Sequence, residues 1–180
     1  MEIAAQIIGF AAMAMNALSY QAKKQRTIII FQLFGSLLFA VHFIMLGAMI
    51  GGLLNIIGII RAAVYSNKEK TGADNPLWIA GFVAAYVASY VLQFTVFGRE
   101  PTAFNLIVEV LPVFAMTITT VSFWLKDAKK LRRLGLINSP LWLIYNAVSH
   151  SISGVCSEVF NLVSLIVAIV RLDIGKKAEK

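Results

Sequence analysis

The sequence predicts an all-α membrane protein of seven transmembrane helices, laid out three, one and three: two parallel three-helix repeats joined by an inverting linker helix. Three observations predict it. Of 180 residues, 59% are hydrophobic and 14% charged, with a mean hydropathy of +0.78, more apolar side chain than a soluble domain of this size can bury. Those residues gather into seven runs long enough, or nearly so, to cross about 30 Å of hydrocarbon. The chain also aligns with itself, first half on second.

The first run, residues 3–22, begins within "MEIAAQ", which lacks a basic leader, so it is expected to be a retained first helix with a translocated N-terminus. The basic loop "QAKKQRT" separates it from the second run, 28–46. Gly47, Gly51 and Gly52 mark the turn into the third, 50–66. The loop "SNKEKTGADNP" follows. Pro76 and Pro101 fit the starts of the fourth and fifth runs, 77–97 and 103–124, because a first-turn residue needs no N–H. After "LKDAKKLRRLG" come runs 134–150 and 153–171, split by the tight "HSIS". The organisation expected is a first repeat over 1–66, a linker helix with its loops over 67–102, a second repeat over 103–171 and a cytoplasmic tail over 172–180.

Charge tests the orientation. With seven spans and the N-terminus outside, the cytoplasm receives fifteen of the sixteen Lys and Arg: Lys23, Lys24, Arg26, Arg61, Lys68, Lys70, Lys126, Lys129, Lys130, Arg132, Arg133, Arg171, Lys176, Lys177 and Lys180. Only Arg99 falls outside. This is the positive-inside pattern. The net charge of +7 therefore orients the chain and meets anionic lipid, and nucleic acid is not an expected partner. Arg61 is expected to snorkel to the cytoplasm.

Sliding the chain by 103 residues superimposes the repeats without a gap from Ala12 on Ala115 through Met13 on Met116, Ser19 on Ser122, Lys23 on Lys126, Ser36 on Ser139 and Phe39 on Trp142. Three further residues in the second copy bring "NIIGIIRAAV" onto "NLVSLIVAIV", placing Asn55 on Asn161. Three-helix units joined directly would be inverted with respect to each other. Both basic loops need the cytoplasm, and the fourth run, which has no counterpart, restores the orientation.

A basic loop after each first helix, an aromatic-rich second helix and an Asn in each third helix resemble the SWEET and PQ-loop transporter superfamily. More narrowly, the whole chain resembles the YgjV family of small bacterial inner-membrane proteins. The resemblance implies a central site lined by Asn55 and Asn161, with Phe39 and Trp142 as the aromatic pair. "LWLIY" is similar to the family's pattern, so Tyr145 matches its Tyr, and His42 replaces it in the first copy. The Pro-Gln closing the family's first helix is "SYQ" here, keeping Gln21 without the proline, and "SFW" in the second copy keeps neither.

Each polar residue has two readings. An Asn in a bilayer must find a partner, as interhelical glue or as a solute ligand; two at equivalent positions suit hydroxyls or a neutral polar solute. Glu158 shares a helix face with Asn161, and Glu109 lies two turns into the fifth run. Each is either an entrance charge or an acid that couples transport to protons. His42 and His150 read as interfacial hydrogen-bonding residues, with no metal-ligand spacing between them. Asn16, Thr119, Ser19 and Ser122 are left to line an inner gate. Cys156 is the only cysteine, so no intramolecular disulfide can form. No catalytic motif, metal or cofactor is expected. The function expected is a carrier or facilitator of a small polar solute, sugar-like or another metabolite, working by alternating access in the bacterial inner membrane, with lipid and that solute as partners and a second copy as a candidate partner. A receptor or assembly protein using the same fold is the alternative.

Overall fold

The structure, a computed structural model, describes residues 2–174; Lys176, Lys177 and Lys180 of the charge count, and most of the expected tail, lie outside them. The described residues are helical, without strands. The elements are α1 (Glu2–Ser19), α2 (Gln25–Met45), α3 (Met49–Ser66), the single-turn α4 (Lys68–Thr71), α5 (Leu77–Thr95), α6 (Ala103–Trp124), α7 (Ala128–Val148) and α8 (Ile152–Ala168), which runs on as a π-helical turn, Ile169–Ile174. The seven longer helices fall on the seven apolar runs. Five are long and apolar enough to cross a membrane: α2, α3, α5, α6 and α8 with its π-helical extension. Helix α1 is shorter, and α7 carries Lys129, Lys130, Arg132 and Arg133 near its start.

That basic stretch is the main departure from the expected boundaries. Read as loop up to residue 134, it is helical from Ala128 because Asp127 caps it, the carboxylate oxygen Oδ1 accepting from the Lys129 N–H at 2.8 Å. A capping carboxylate also suits the positive end of the helix dipole. Helix α2 likewise begins at Gln25 rather than 28.

The molecule is apolar outside and polar within. On α2 the exposed side chains Ile30, Phe34, Leu37, Val41 and Ile44 recur every three or four residues, one helical face. The buried side chains, by contrast, include His42, Asn55, Arg61, Glu109, Arg132, Asn146, Glu158, Asn161 and Asp173. Such an inversion fits a hydrocarbon surround, in which polar groups must find partners inside the protein.

Pairwise packing closes six helices into a ring in the order α1, α2, α3, α6, α7, α8, with α8 returning to α1. Helix α5 stands outside, against α3 and α6, through the single stripe Phe82, Tyr86, Ser89 and Gln93. In this ring α3 and α8 are opposite, as are α1 and α6. The seam of α1 on α8 is more extensive than that of α3 on α6 and is built from small residues. Ala5, Ala12, Ser153, Ser157 and Ala168 are fully buried, and a Cβ on Gly9 would collide with the Ser153 side chain.

One end of the ring holds the short α2–α3 and α7–α8 turns; the other holds the α1–α2 and α6–α7 loops and the lysines of both. At this basic end, Arg132 of α7 pairs with Asp173 of the π-helical turn through Nε at 3.0 Å and a second Nη2 contact. Arg132 is 3% exposed and Asp173 5%. Asp173→Asn is expected to lower stability by about 3–5 kcal/mol, because it strands a buried guanidinium. Arg132→Met combined with Asp173→Leu should recover most of the loss; thermal unfolding in detergent measures both.

Candidate functional site

The centre of the ring is a polar cavity of about 70 Å³, room for a few waters and too narrow, as it stands, for a sugar. Each of the six ring helices contributes to its wall. Helix α2 presents Gln32, Ser36, Phe39 and Phe43, and α7 presents Asn138, Trp142 and Asn146. Spacings of three and four put each set on one helix face. On α2 the polar residues lie toward the basic end and the aromatics toward the turn end, whereas on α7 Trp142 lies between two asparagines. Asn16 and Tyr20 enter at the end of α1, and Met116 and Thr119 come from α6.

The opposed helices α3 and α8 carry Asn55 and Asn161, and both line the cavity. Asn55 donates from Nδ2 to the Gly51 carbonyl one turn back, at 2.8 Å. Asn161 lies with Nδ2 3.4 Å from Glu158 Oε2, and its Oδ1 is buried without a partner. Glu158, 7% exposed, is part of the same wall.

Phe39 and Trp142 do not touch as an isolated pair. Phe43 stacks between them, its ring centre 5.7 Å from Phe39 and 6.1 Å from Trp142. Tyr145 packs edge-on against Trp142 at 5.7 Å. Its hydroxyl accepts from the Gly51 N–H at 3.1 Å, satisfying one of the donors that the first turn of α3 leaves free. His42, fully buried, sits behind the wall rather than on it. Its Nδ1 is 2.8 Å from the Ala5 carbonyl and its Nε2 2.7 Å from Ser151 Oγ. A carbonyl only accepts, so Nδ1 carries the proton and Nε2 accepts from the hydroxyl that caps α8.

Of the expected inner-gate residues, Asn16 and Thr119 reach the cavity. Ser19 and Ser122 instead donate back to the Asn16 and Thr119 carbonyls at 2.6 and 2.7 Å. Glu109 is 4% exposed but stands apart from the cavity. The guanidinium of Arg99 lies 3.3 Å from it, and Gln93 of α5 flanks it.

Arg61 requires a correction. Expected to snorkel outward, it is 3% exposed and lines the cavity. Its Nη1 donates to the Tyr86 hydroxyl and the Met116 carbonyl, each at 3.2 Å. The guanidinium carbon lies 4.9 Å from the centre of the Phe123 ring, and Tyr86 is in turn 2.9 Å from Thr120 Oγ1. These partners replace water, and Tyr86 comes from α5, the helix without a repeat counterpart. The sequence reading also passed over Gln32, Ser36, Asn138 and Asn146. The four-residue recurrence of Asn138, Trp142 and Asn146 was the available signal.

Residues 3–176 match a family described as Imp-YgjV, bacterial inner membrane protein. The chain belongs to this family. Membership places it among bacterial inner-membrane proteins, in keeping with its five long apolar helices. No curated protein and no solved structure matches the chain.

A test of the wall comes from Gly35 of α2, where an added Cβ would collide with Asn16 Oδ1. Gly35→Ala is expected to destabilise the protein by about 1–3 kcal/mol through overpacking. Adding Asn16→Ala should recover most of that loss, since the two sites share one contact.

Proposed function

We propose that the protein is a carrier or facilitator for a small polar solute, working by alternating access between two parallel three-helix halves, α1–α3 and α6–α8, with α5 as the inverting linker. The observation that carries this reading is the central cavity, with Asn55 and Asn161 on opposite helices of the ring. The packing order supports the repeats: the seam of α1 on α8 is the counterpart of that of α6 on α3, and α2 faces α7 across the middle. That order supports a reading of the chain as the SWEET-like layout that the resemblance implies.

Cross-ring contacts at both ends give the cycle something to break. At the turn end, α2 reaches the cap of α8 through His42, and α7 reaches the start of α3 through Tyr145. At the basic end, Gln25 of α2 donates to the Ser122 and Phe123 carbonyls at the end of α6, at 3.0 and 3.1 Å. Arg132 of α7 donates to the Ala22 carbonyl beyond α1 at 3.3 Å. Both sets are engaged together, as in an occluded intermediate. Opening toward either side releases one set while the other holds. Glu158, the acid in the cavity, is the residue placed to couple a proton to this motion.

The first test is binding. A screen of the purified protein against sugars, amino acids and other metabolites should find solutes that raise the unfolding temperature, and Asn161→Leu should abolish the rise while the protein stays folded. If no solute stabilises it, a receptor or assembly role replaces the carrier. The second test is orientation: the charge distribution puts the N-terminus in the periplasm and the C-terminus in the cytoplasm. A C-terminal alkaline phosphatase fusion should be inactive and a fluorescent-protein fusion bright, and the reverse would overturn the topology.

A further inference from the structure

The cavity holds two buried charges of opposite sign that do not neutralise each other. The ion pairs among the described residues are Arg99 with Glu109, Lys126 with Asp74, and Arg132 with Asp173. Arg61 and Glu158 therefore each lack an opposite charge within 4.0 Å, although both line the same cavity. A charge at such depth is costly unless partnered. The protein gives Arg61 neutral acceptors and gives Glu158 neutral neighbours as well, the Asn161 amide at 3.4 Å and the buried Ser139 hydroxyl.

The unsatisfied hydrogen-bonding groups divide by wall in the same sense. Of the α3 residues that line the cavity, Arg61 has a buried atom without a partner, the donor Nε; the Tyr65 hydroxyl, also without one, lies off the cavity. On the opposing α7 and α8 side, the partnerless cavity atoms are acceptors, Asn146 Oδ1 and Asn161 Oδ1, next to the Glu158 carboxylate. One wall offers positive charge and N–H groups; the facing wall offers negative charge and oxygens. A neutral polyol needs neither charge. The positions are also specific to this arrangement: the repeat counterpart of Glu158 is Gly52 and that of Arg61 is Val167, so the polarity runs one way across the ring. Nη2 of Arg61 lies 3.7 Å from where a Cβ on Gly58 would sit. The guanidinium thus folds back from the basic end toward the middle of α3, using space that the glycine leaves.

We propose that the solute is a small zwitterion of the amino-acid class, its carboxylate bound by Arg61 and its ammonium by Glu158 with Asn161 and Asn146. The carboxylate gains a planar guanidinium with unused donors. The ammonium gains the three acceptors it needs. This assignment deepens the carrier reading and rests on it.

The test is a ligand panel on the purified full-length protein, read as the shift in unfolding temperature against concentration. L-alanine, β-alanine and 4-aminobutyrate supply both charges at increasing separation. Alaninamide supplies the ammonium alone, N-acetylalanine the carboxylate alone, and glucose neither. The expected result is saturable stabilisation by at least one zwitterion, with both singly charged analogues weaker by about 30-fold or more. Glu158→Gln should remove the advantage of the zwitterion over N-acetylalanine, and Arg61→Gln its advantage over alaninamide. Should Arg61→Gln fail to fold, Arg61→Lys keeps the charge and loses the fork, and is expected to bind the same zwitterion more weakly. Stabilisation by glucose and not by the zwitterions would overturn the assignment and leave the carrier standing. Silence across the whole panel would overturn it too, and only silence in the wider metabolite screen would remove the carrier reading with it.

Discussion

A helix in hydrocarbon satisfies its own backbone everywhere except at its ends, and most of this structure follows from how those ends are treated. Helices α2 and α7 act as struts, each reaching across to the other half at both ends. His42 meets the hydroxyl that caps α8, and Tyr145 meets an amide in the first turn of α3. Gln25 meets the last carbonyls of α6, and Arg132 the carbonyl that follows α1. Histidine and tyrosine occupy equivalent places in the two copies and perform the same service with different chemistry. The pair at the basic end is only approximately equivalent, since the positions matching Gln25 and Arg132 in the internal alignment are Ala128 and Ile29.

Because the struts bind the ring at its rims, its middle is free of the requirement to be filled with interlocking apolar side chains. Amides, an acid and a guanidinium occupy that space instead. The linker helix α5 covers the α3–α6 seam and also orients the site, because its Tyr86 holds Arg61 away from solvent. A residue from outside the self-aligned segments thereby holds Arg61, whose aligned position carries Val167.

The sequence carried most of the fold because hydropathy and loop charge are local signals. The seven runs, their order and the turn positions all correspond to helices. Boundaries were less legible where helix-forming basic residues look like loop, as in residues 128–133, and where a cap such as Asp127 sets the start. In the cavity, self-alignment paired Asn55 with Asn161 and Phe39 with Trp142, the resemblance made them a site, and Asn16 and Thr119 were the polar residues left for a gate; all six line the cavity. Self-alignment said nothing useful about Arg61, whose inward turn depends on Tyr86, Met116 and Phe123, partners remote in sequence. His42 and Tyr145, which the resemblance assigned to the site, stand off the cavity wall, and their hydrogen bonds, to backbone groups and a cap, lie beyond what side-chain patterning records. Glu109 looked like a second buried acid, and Arg99, ten residues away, lies beside it.

The unequal seams of the ring bear on how its halves can move. Where α1 meets α8, glycine, alanine and serine bring the backbones close, and Ser164 donates to the Ala17 carbonyl at 2.6 Å while Gln21 donates to Ser164. Where α3 meets α6, the approach is looser and a third helix lies over the join. A book is the apt comparison: α1 on α8 is the bound spine, and the fore-edge of α3 and α6, covered by α5, is held at its two ends by Gln25 and Tyr145. Release of these contacts would carry Arg61, on α3 at the fore-edge, through a wide arc, while Glu158, on α8 at the spine, would stay near the hinge.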